Sequence, residues 1–444
     1  MPDDGFVQFN KHIIEYMRGV YVLLLISLLG YAGRVGGQES VTITQCYEWA
    51  RANYPQIHQM GLIDQTERYS LSNVGKAWLP QLSVSGKASY QSDVTKLPLD
   101  GDKISSLLPG FEIPSLSKDQ YQVVAQVDQT IWDGGSTRSA RALTRAEAIA
   151  NREQLESELY ALNDRVNQIY FGCLLQDELI RQNALLQKEL QVNIEHIKAM
   201  MDNGVANQSD LESMEVELLN ARQNEIELRA SRTVYRQMLA TFINKPLTDQ
   251  VVLKTPESPE RSLSTQINRP ELRALDAKSE WIETQNKQVT AGLMPRIGAF
   301  VQGGYGRPGL NMLEDSFEPY YVAGVRLSWN LGKLYTLKND RRKIEVSRRQ
   351  IDVQRETFLF NTRLQLLQQN TEIKKMTDLM RADDDIIRLR TSIKQAAEVK
   401  LENGVISVTD LIREINAEDM ARQTAAAHRV QRLMTIYNYM YTTN

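Results

Sequence analysis

The chain has 444 residues, 42% of them hydrophobic and 7% aromatic, which is enough apolar material for a sizeable core in two or three domains. Lys and Arg total 52 against 55 Asp and Glu, so no overall field argues for nucleic acid or for an anionic membrane surface as partner. Cys46 and Cys173 lie far apart, and His12, His58, His196 and His428 are scattered. Neither CxxC nor HExxH spacing occurs, which argues against a redox pair, a metal site or a cofactor and leaves the cysteines as packing residues.

Arg18 precedes the apolar run VYVLLLISLL at residues 20–29, and the small residues of YAGRVGG follow. This is the pattern of a secretory signal peptide, with Met17 as the start codon product, a spurious extension before it and cleavage near Gly37. The run is shorter than the ~20 apolar residues of a spanning helix, the alternative being a membrane anchor. No cysteine follows closely enough for lipid attachment. Residues 1–37 are therefore assigned to the signal, and the mature, exported chain begins near Gln38. No later stretch is apolar enough to cross a bilayer as a helix, so any crossing falls to strands.

A first repeat is expected over 38–243: a short helix, a β-hairpin at about 81–132, a long helix at about 136–203, a tip at 204–210 and a return helix at 211–243. In the hairpin, Leu82, Val84, Gly86, Ala88 and Tyr90 alternate with Ser83, Ser85, Lys87 and Ser89. Tyr121, Val123, Ala125, Val127 and Ile131 do the same against Gln122, Gln126, Asp128 and Thr130. About ten residues with one apolar and one polar face match a membrane β-strand, the alternative being an ordinary sheet capping a helical bundle. The long helix has no proline, and Leu155, Leu159, Leu162, Val166, Ile169 and Cys173 form a heptad seam resumed at Leu190, Ile194, Ile197 and Met201. At 1.5 Å per residue it makes a rod of ~100 Å. The rod ends in MDNGVANQSDL, where Gly204 can take the left-handed conformation. Ser209-x-x-Glu212 fits a capping box, and Asn207-x-x-Asp210 offers a further acid to the next helix. Asn207-Gln208-Ser209, a glycosylation sequon by its letters, is read as part of this cap.

After a linker at 244–268, a second repeat over 269–444 has the same plan: a short helix, a hairpin at about 296–330, a long helix at about 334–402, a tip at 404–410 and a return helix at 411–442. NYPQI at Asn53 returns as NRPEL at Asn268, WLPQLSVSGKASY at Trp78 as LMPRIGAFVQGGY at Leu293, and Trp132-Asp133-Gly134-Gly135 as Trp329-Asn330-Leu331-Gly332. The tip returns as LENGVISVTDL, with Gly404 and Ser407-x-x-Asp410. Pro80, Gly134, Gly135, Pro295 and Gly332 mark the junctions between strands and helices. The whole mature chain reads as a duplication.

No Walker loop, nucleophile elbow or convergent carboxylate set is present, so an enzyme is not expected. Gly304-x-Gly306-x-x-Gly309 fits a dinucleotide fingerprint by letters but precedes a strand, and is read as the external loop of the second hairpin. Four strands cannot close, and open edges are not tolerated in lipid, so several chains must combine. Two short helices stacked end to end match one long rod, making walls whose seams would join into a tube.

In NYPQI and NRPEL, the prolines Pro80 and Pro295, WDGG and the doubled Gly-Val-x-x-x-(Ser/Thr)-Asp-Leu tip, the chain resembles the TolC family of outer-membrane efflux proteins. The fold class expected from that resemblance is mainly α with membrane β: duplicated long helical hairpins plus four strands per chain, forming a trimeric α-barrel topped by a 12-strand transmembrane β-barrel. It implies a homotrimer in outer-membrane lipid, reaching into the periplasm of a Gram-negative bacterium. A periplasmic adaptor (membrane fusion protein) and an inner-membrane transporter of RND or ABC type would be its partners, with no nucleic acid. The tips, Gly204, Val205, Asp210 and Leu211 with Gly404, Val405, Asp410 and Leu411, are similar to the region that meets the adaptor. Asp410 matches an acidic position that in relatives can ring the closed pore; three positions on, where some members carry another acid, stands Arg413. Helix-start electrostatics accounts equally for Asp210 and Asp410. The function this implies is a passive exit duct of a tripartite pump or type I secretion system. The alternative is a periplasmic coiled-coil adaptor or tether, which would carry one hairpin flanked by β-rich modules.

Overall fold

The computed structural model describes residues 40–95, 116–258 and 265–444. The assigned signal segment, the middle of the loop between the first two strands and part of the 244–268 linker lie outside them. In chain order the elements are β1 (Ser40–Val41), α1 (Ile43–Asn53), α2 (Gln59–Gly75), β2 (Gln81–Tyr90), β3 (Asp119–Trp132), α3 (Ser136–Tyr160), α4 (Leu162–Asp202), α5 (Gln208–Ile243), β4 (Val252–Leu253), α6 (Pro270–Ala291), β5 (Arg296–Arg307), β6 (Glu318–Ser328), α7 (Lys333–Glu402) and α8 (Val408–Thr443). Short 3-10 turns, Pro55–His58 and Lys76–Trp78, flank α2. The chain is mainly helical, and no described helix is long and apolar enough to cross a membrane.

The expected first rod at 136–203 is divided at Ala161, although the backbone there stays helical (φ −61, ψ −17). Its counterpart α7 runs unbroken for 70 residues.

One compact unit comprises residues up to Tyr54, Ala161–Thr265 and Leu366–Tyr441. Its core gathers Val166, Ile169, Tyr170, Phe171 and Cys173 of α4 against Cys46 of α1 and Leu239 of α5. β1 pairs in parallel with β4, and the Tyr170 hydroxyl spans the ribbon by donating to both the Val41 and Lys254 carbonyls. Both thiols are buried and unbridged, and burial pushes each to about 12, so they are inert packing groups.

The other unit comprises Pro55–Tyr160, Gln266–Gln365 and the last residues of the chain. It holds an antiparallel four-stranded sheet in the order β2-β3-β5-β6. The register aligns the alternating patterns of all four strands. Leu82, Val127, Val301 and Ala323 form one row across the sheet, and Val84, Ala125, Gly303 and Tyr321 the next. On the opposite face stand Ser83, Gln126, Gln302 and Val322, then Gln81, Asp128, Phe300 and Gly324. Leu82, Val84, Val123, Val301, Val325 and Leu327 are all exposed, so one whole face of the sheet is bare apolar surface.

Gly304 and Gly306 lie within β5 rather than in the expected loop, for a steric reason. A Cβ at Gly304 would sit 2.3 Å from the Tyr320 ring, and one at Gly306 would sit 2.6 Å from the Tyr121 carbonyl oxygen. Tyr320 of β6 thus lies flat over its cross-strand partner Gly304 and is held by Gln122. Phe300 lies likewise over its own partner Gly324, with the Arg326 guanidinium 4.8 Å from its ring centre.

Candidate functional site

The tips at 203–207 and 403–407 are built alike. Gly204 and Gly404 have φ of 73 and 66, the left-handed region that favours glycine. At each, the glycine N–H donates to the carbonyl three residues back (Met201, Leu401) and the next N–H to the carbonyl five back (Met200, Lys400), all at 2.9 Å. This is the paired bond of a Schellman ending, and it satisfies carbonyls that the helix leaves open.

The helix that follows is capped reciprocally. Asn207 Oδ1 accepts from the Asp210 N–H at 3.1 Å while Asp210 Oδ2 accepts from the Asn207 N–H at 3.1 Å. Ser407 and Asp410 repeat the exchange at 3.2 Å in each direction, with the Ser407 hydroxyl also donating to Asp410 at 2.8 Å. The box therefore uses Asn207 and Asp210 instead of Ser209 and Glu212. The glycine fixes where helix α4 stops, which leaves Asn207, with extended backbone (φ −116, ψ 171), as the cap of α5.

The tips differ in charge. Asp410 accepts an ion pair from Arg413 at 3.3 Å, whereas Ser213 stands at the matching place after Asp210. The Ser407 hydrogen bonds, and then Arg413, hold the Asp410 carboxyl below its ordinary range. Val205 and Val405 are exposed at the two turns, 59% and 67% respectively.

Behind the turns both hairpins enter one apolar cluster: Leu190, Ile194 and Ile197 of α4, Met214 and Leu218 of α5, Leu401 of α7, and Leu411 and Ile415 of α8. Leu411 is buried and Leu211 packs partly buried against the same group. A buried ionic knot lies among these helices. Lys394 of α7 pairs with Glu418 of α8 at 2.7 Å and with Glu189 of α4. Glu418 also accepts from Thr391 at 2.5 Å and from Arg422 at 2.5 Å. Burial alone would raise the Glu418 carboxyl, but the hydrogen bonds from Lys394, Thr391 and Arg422 outweigh it and hold it at about 2. Its neighbour Asp419 is raised by burial, and then by Glu189 and Glu418 against a lowering bond from Gln423, to about 6. This knot was not singled out from the sequence. Its signal is Glu418 continuing the four-three seam of Leu411 and Ile415, a position where an acid needs a partner.

The junction residues lie in the unit that holds the sheet. Gly134 (φ 65) is pressed against Met294 and Pro295: a Cβ there would be 2.5 Å from Met294 Cβ. Gly135 (φ 83) has open space around it. The buried Asp133 carboxylate accepts from the Gly135 N–H at 2.9 Å and the Thr137 N–H at 2.6 Å; these bonds outweigh the burial that would raise it and keep it below the ordinary carboxylate range. In the second half Asn330 Oδ1 accepts from Gly332 N–H at 3.1 Å, and Gly332 has no left-handed φ. Pro80 and Pro295 each immediately precede a strand. A side chain of the returning strand or just after it donates to the carbonyl two residues before each proline, Gln129 of β3 to Trp78 and Trp329, next after β6, to Leu293, both at 2.9 Å. Among the described residues no group of three or more His, Cys, Asp or Glu side chains is placed to hold a metal ion.

Residues 46–245 match the family described as outer membrane efflux protein. No curated protein matches the chain. Among solved structures the chain is similar to CusC, at 14% identity and a TM-score of 0.64, covering 90% of this chain and 92% of that one. It is similar also to the outer membrane protein VceC of Vibrio cholerae (12% identity, TM-score 0.60, coverage 90% and 95%). The open-state MtrE outer membrane channel of Neisseria gonorrhoeae matches at 14% identity, a TM-score of 0.60 and coverage of 90% and 88%. At such identities the likeness establishes the fold.

Proposed function

We propose, from the match of residues 46–245 to the outer membrane efflux proteins, that the chain is the exit duct of a tripartite efflux pump or type I secretion system, a passive outer-membrane channel. The observation that carries this is the two-faced sheet. One face is continuous exposed apolar surface and the other is polar, and among the described residues nothing pairs with the outer edges of β2 and β6. Edges bared to lipid would leave backbone groups unsatisfied, so closure needs further copies of the chain. Three copies, the number implied by the family resemblance, make a 12-strand barrel with the polar face turned to a water-filled lumen.

In this reading the paired tips form the periplasmic end. Exposed Val205 and Val405 on rigid Schellman turns offer apolar knobs to an adaptor, and an inner-membrane pump of RND or ABC type supplies the energy. Asp410 is the gate residue, and its pairing with Arg413 leaves that ring weakly charged. No reaction is assigned to the chain.

The test is purification in detergent followed by planar-bilayer recording of wild type and Arg413→Gln. Stepwise conductance from a three-chain species, more cation-selective in the variant, supports the duct. A water-soluble monomer that conducts nothing refutes it and favours the tether.

A further inference from the structure

At the helical end of the sheet lies a cavity of about 920 Å³ bounded by Trp78, by Met294 after α6, and by one stripe of α3. The stripe carries Arg138, Arg141 and Arg145, whose spacing of three and four places them on one side of the helix, and Lys287 of α6 completes the basic lining. Among the described residues no carboxylate forms an ion pair with any of these four cations. The one carboxylate in the lining, Asp133, is committed to the Gly135 and Thr137 N–H groups. Arg138 stands in the first turn of α3, which contains no acidic residue of its own, and the Asp133 carboxylate that caps this end is taken up by the Gly135 and Thr137 N–H groups.

The side of the fold on which the stripe lies follows from the helix. Ser136 turns toward Arg296 beside Asp128, Phe300 and Arg326, on the polar face of the sheet. Arg138, two residues on, is rotated by about 200° from it and so points to the side of the apolar face. Trp132, paired with Ile297, and Trp329 stand on that apolar face at this same end and are exposed, as interfacial tryptophans are where lipid meets water. Moreover, α3 continues β3 and α6 leads into β5, the two central strands, so the cavity is away from the sheet edges where another copy would pair.

We propose that this cavity binds the phosphate of an anionic lipid headgroup from the membrane leaflet nearest the helices. The proposal rests on the reading of the sheet as membrane-spanning. Four unpaired cations beside an apolar wall match an anion attached to an acyl chain: the guanidinium groups take the phosphate, and Trp78 and Met294 take the glycerol end of the tails.

The test uses the full-length protein in phosphatidylcholine nanodiscs with and without phosphatidylglycerol, with retained lipid counted by native mass spectrometry. Wild type is expected to retain phosphatidylglycerol in preference to phosphatidylcholine. The variant R138Q/R141Q/R145Q should lose about fivefold of that preference per arginine, while R381Q/R388Q, exposed on α7 beside their own aspartates, should keep it. Should the triple variant fail to fold, Arg145→Gln and Lys287→Gln singly provide the same comparison at smaller amplitude. Equal preference in wild type and variants overturns the site. Inorganic phosphate that displaces phosphatidylglycerol completely, or stabilises the protein equally well in phosphatidylcholine alone, overturns the lipid assignment in favour of a free anion. A protein that enters neither kind of disc refutes the membrane reading itself, an outcome distinct from insertion without lipid preference.

Discussion

Lys394 Nζ and Glu418 Oε2 stand 2.7 Å apart, with the Glu418 side chain 3% exposed. Since Lys394 also reaches Glu189, one ammonium ties α7 to α8 and to α4 in the other hairpin. Removing one partner of such a pair strands a charge, whereas replacing both with apolar groups of similar size does not. Glu418→Ala is therefore expected to lower stability by about 3 kcal/mol, and K394M/E418L to recover most of it. Thermal unfolding of the two variants checks this; an equal loss in both would refute the stranded-charge account.

Asp419 and Glu418 titrate in opposite senses. Asp419 is raised in the folded chain to about 6, so its contribution to stability is complete below its ordinary 3.8 and disappears as pH climbs through 6. Glu418 is held at about 2, so its contribution is complete above its ordinary 4.5 and is lost as pH falls from there toward 2. Asp419→Asn should accordingly stabilise the protein by about 1–2 kcal/mol above neutrality, with the gain shrinking to nothing in acid. Melting curves across pH decide the point, since a gain independent of pH would rule out titration as its cause.

The two turns should respond alike. Gly204→Ala and Gly404→Ala each force a Cβ into left-handed backbone and are expected to cost about 1–2 kcal/mol locally. Asn207→Ala and Ser407→Ala, each removing a cap, should cost about 1 kcal/mol. Hydrogen exchange of the Val205 and Val405 amides reads these effects at the turns themselves, and unchanged protection would contradict the Schellman bonding.

Neighbouring glycines at the first junction are expected to behave differently. Gly135→Ala meets open space and suffers only the strain of φ 83, about 1–2 kcal/mol. Gly134→Ala adds to the same strain a contact of 2.5 Å with Met294 Cβ, too close for any rotamer to relieve. Yield of folded protein should fall much further for Gly134→Ala; equal yields would show that the loop can move away from Met294.

Much of this was legible because the strands have a period of two and the helices lack proline. Leu82, Val84 and Val127 announce a face by alternation alone. Other features turn on contacts between distant residues. Ala161, which interrupts α3 and α4, is the best helix former and carries no local signal of a break. Both Ser209-x-x-Glu212 and Asn207-x-x-Asp210 satisfy the letters of a cap, and only the stop imposed by Gly204 selects between them. Glu418 reads as one more surface acid until its seam is drawn through Leu411 and Ile415. The basic cavity joins α3 to α6 across about 150 residues of chain, a distance over which sequence spacing has no meaning.

The glycines of the polar face have one more effect. Because Gly304 and Gly324 each present only a hydrogen, Tyr320 and Phe300 can recline along the wall. Had either partner a methyl group, its ring would stand up from the polar face, into the lumen of the proposed barrel. In a closed ring every chain contributes the same pair, so the effect would recur around the circumference. In the proposed barrel the calibre of the conduit would in this sense be set by two missing carbons, and its bore would be narrowed by Gly304→Ala or Gly324→Ala without touching a charge.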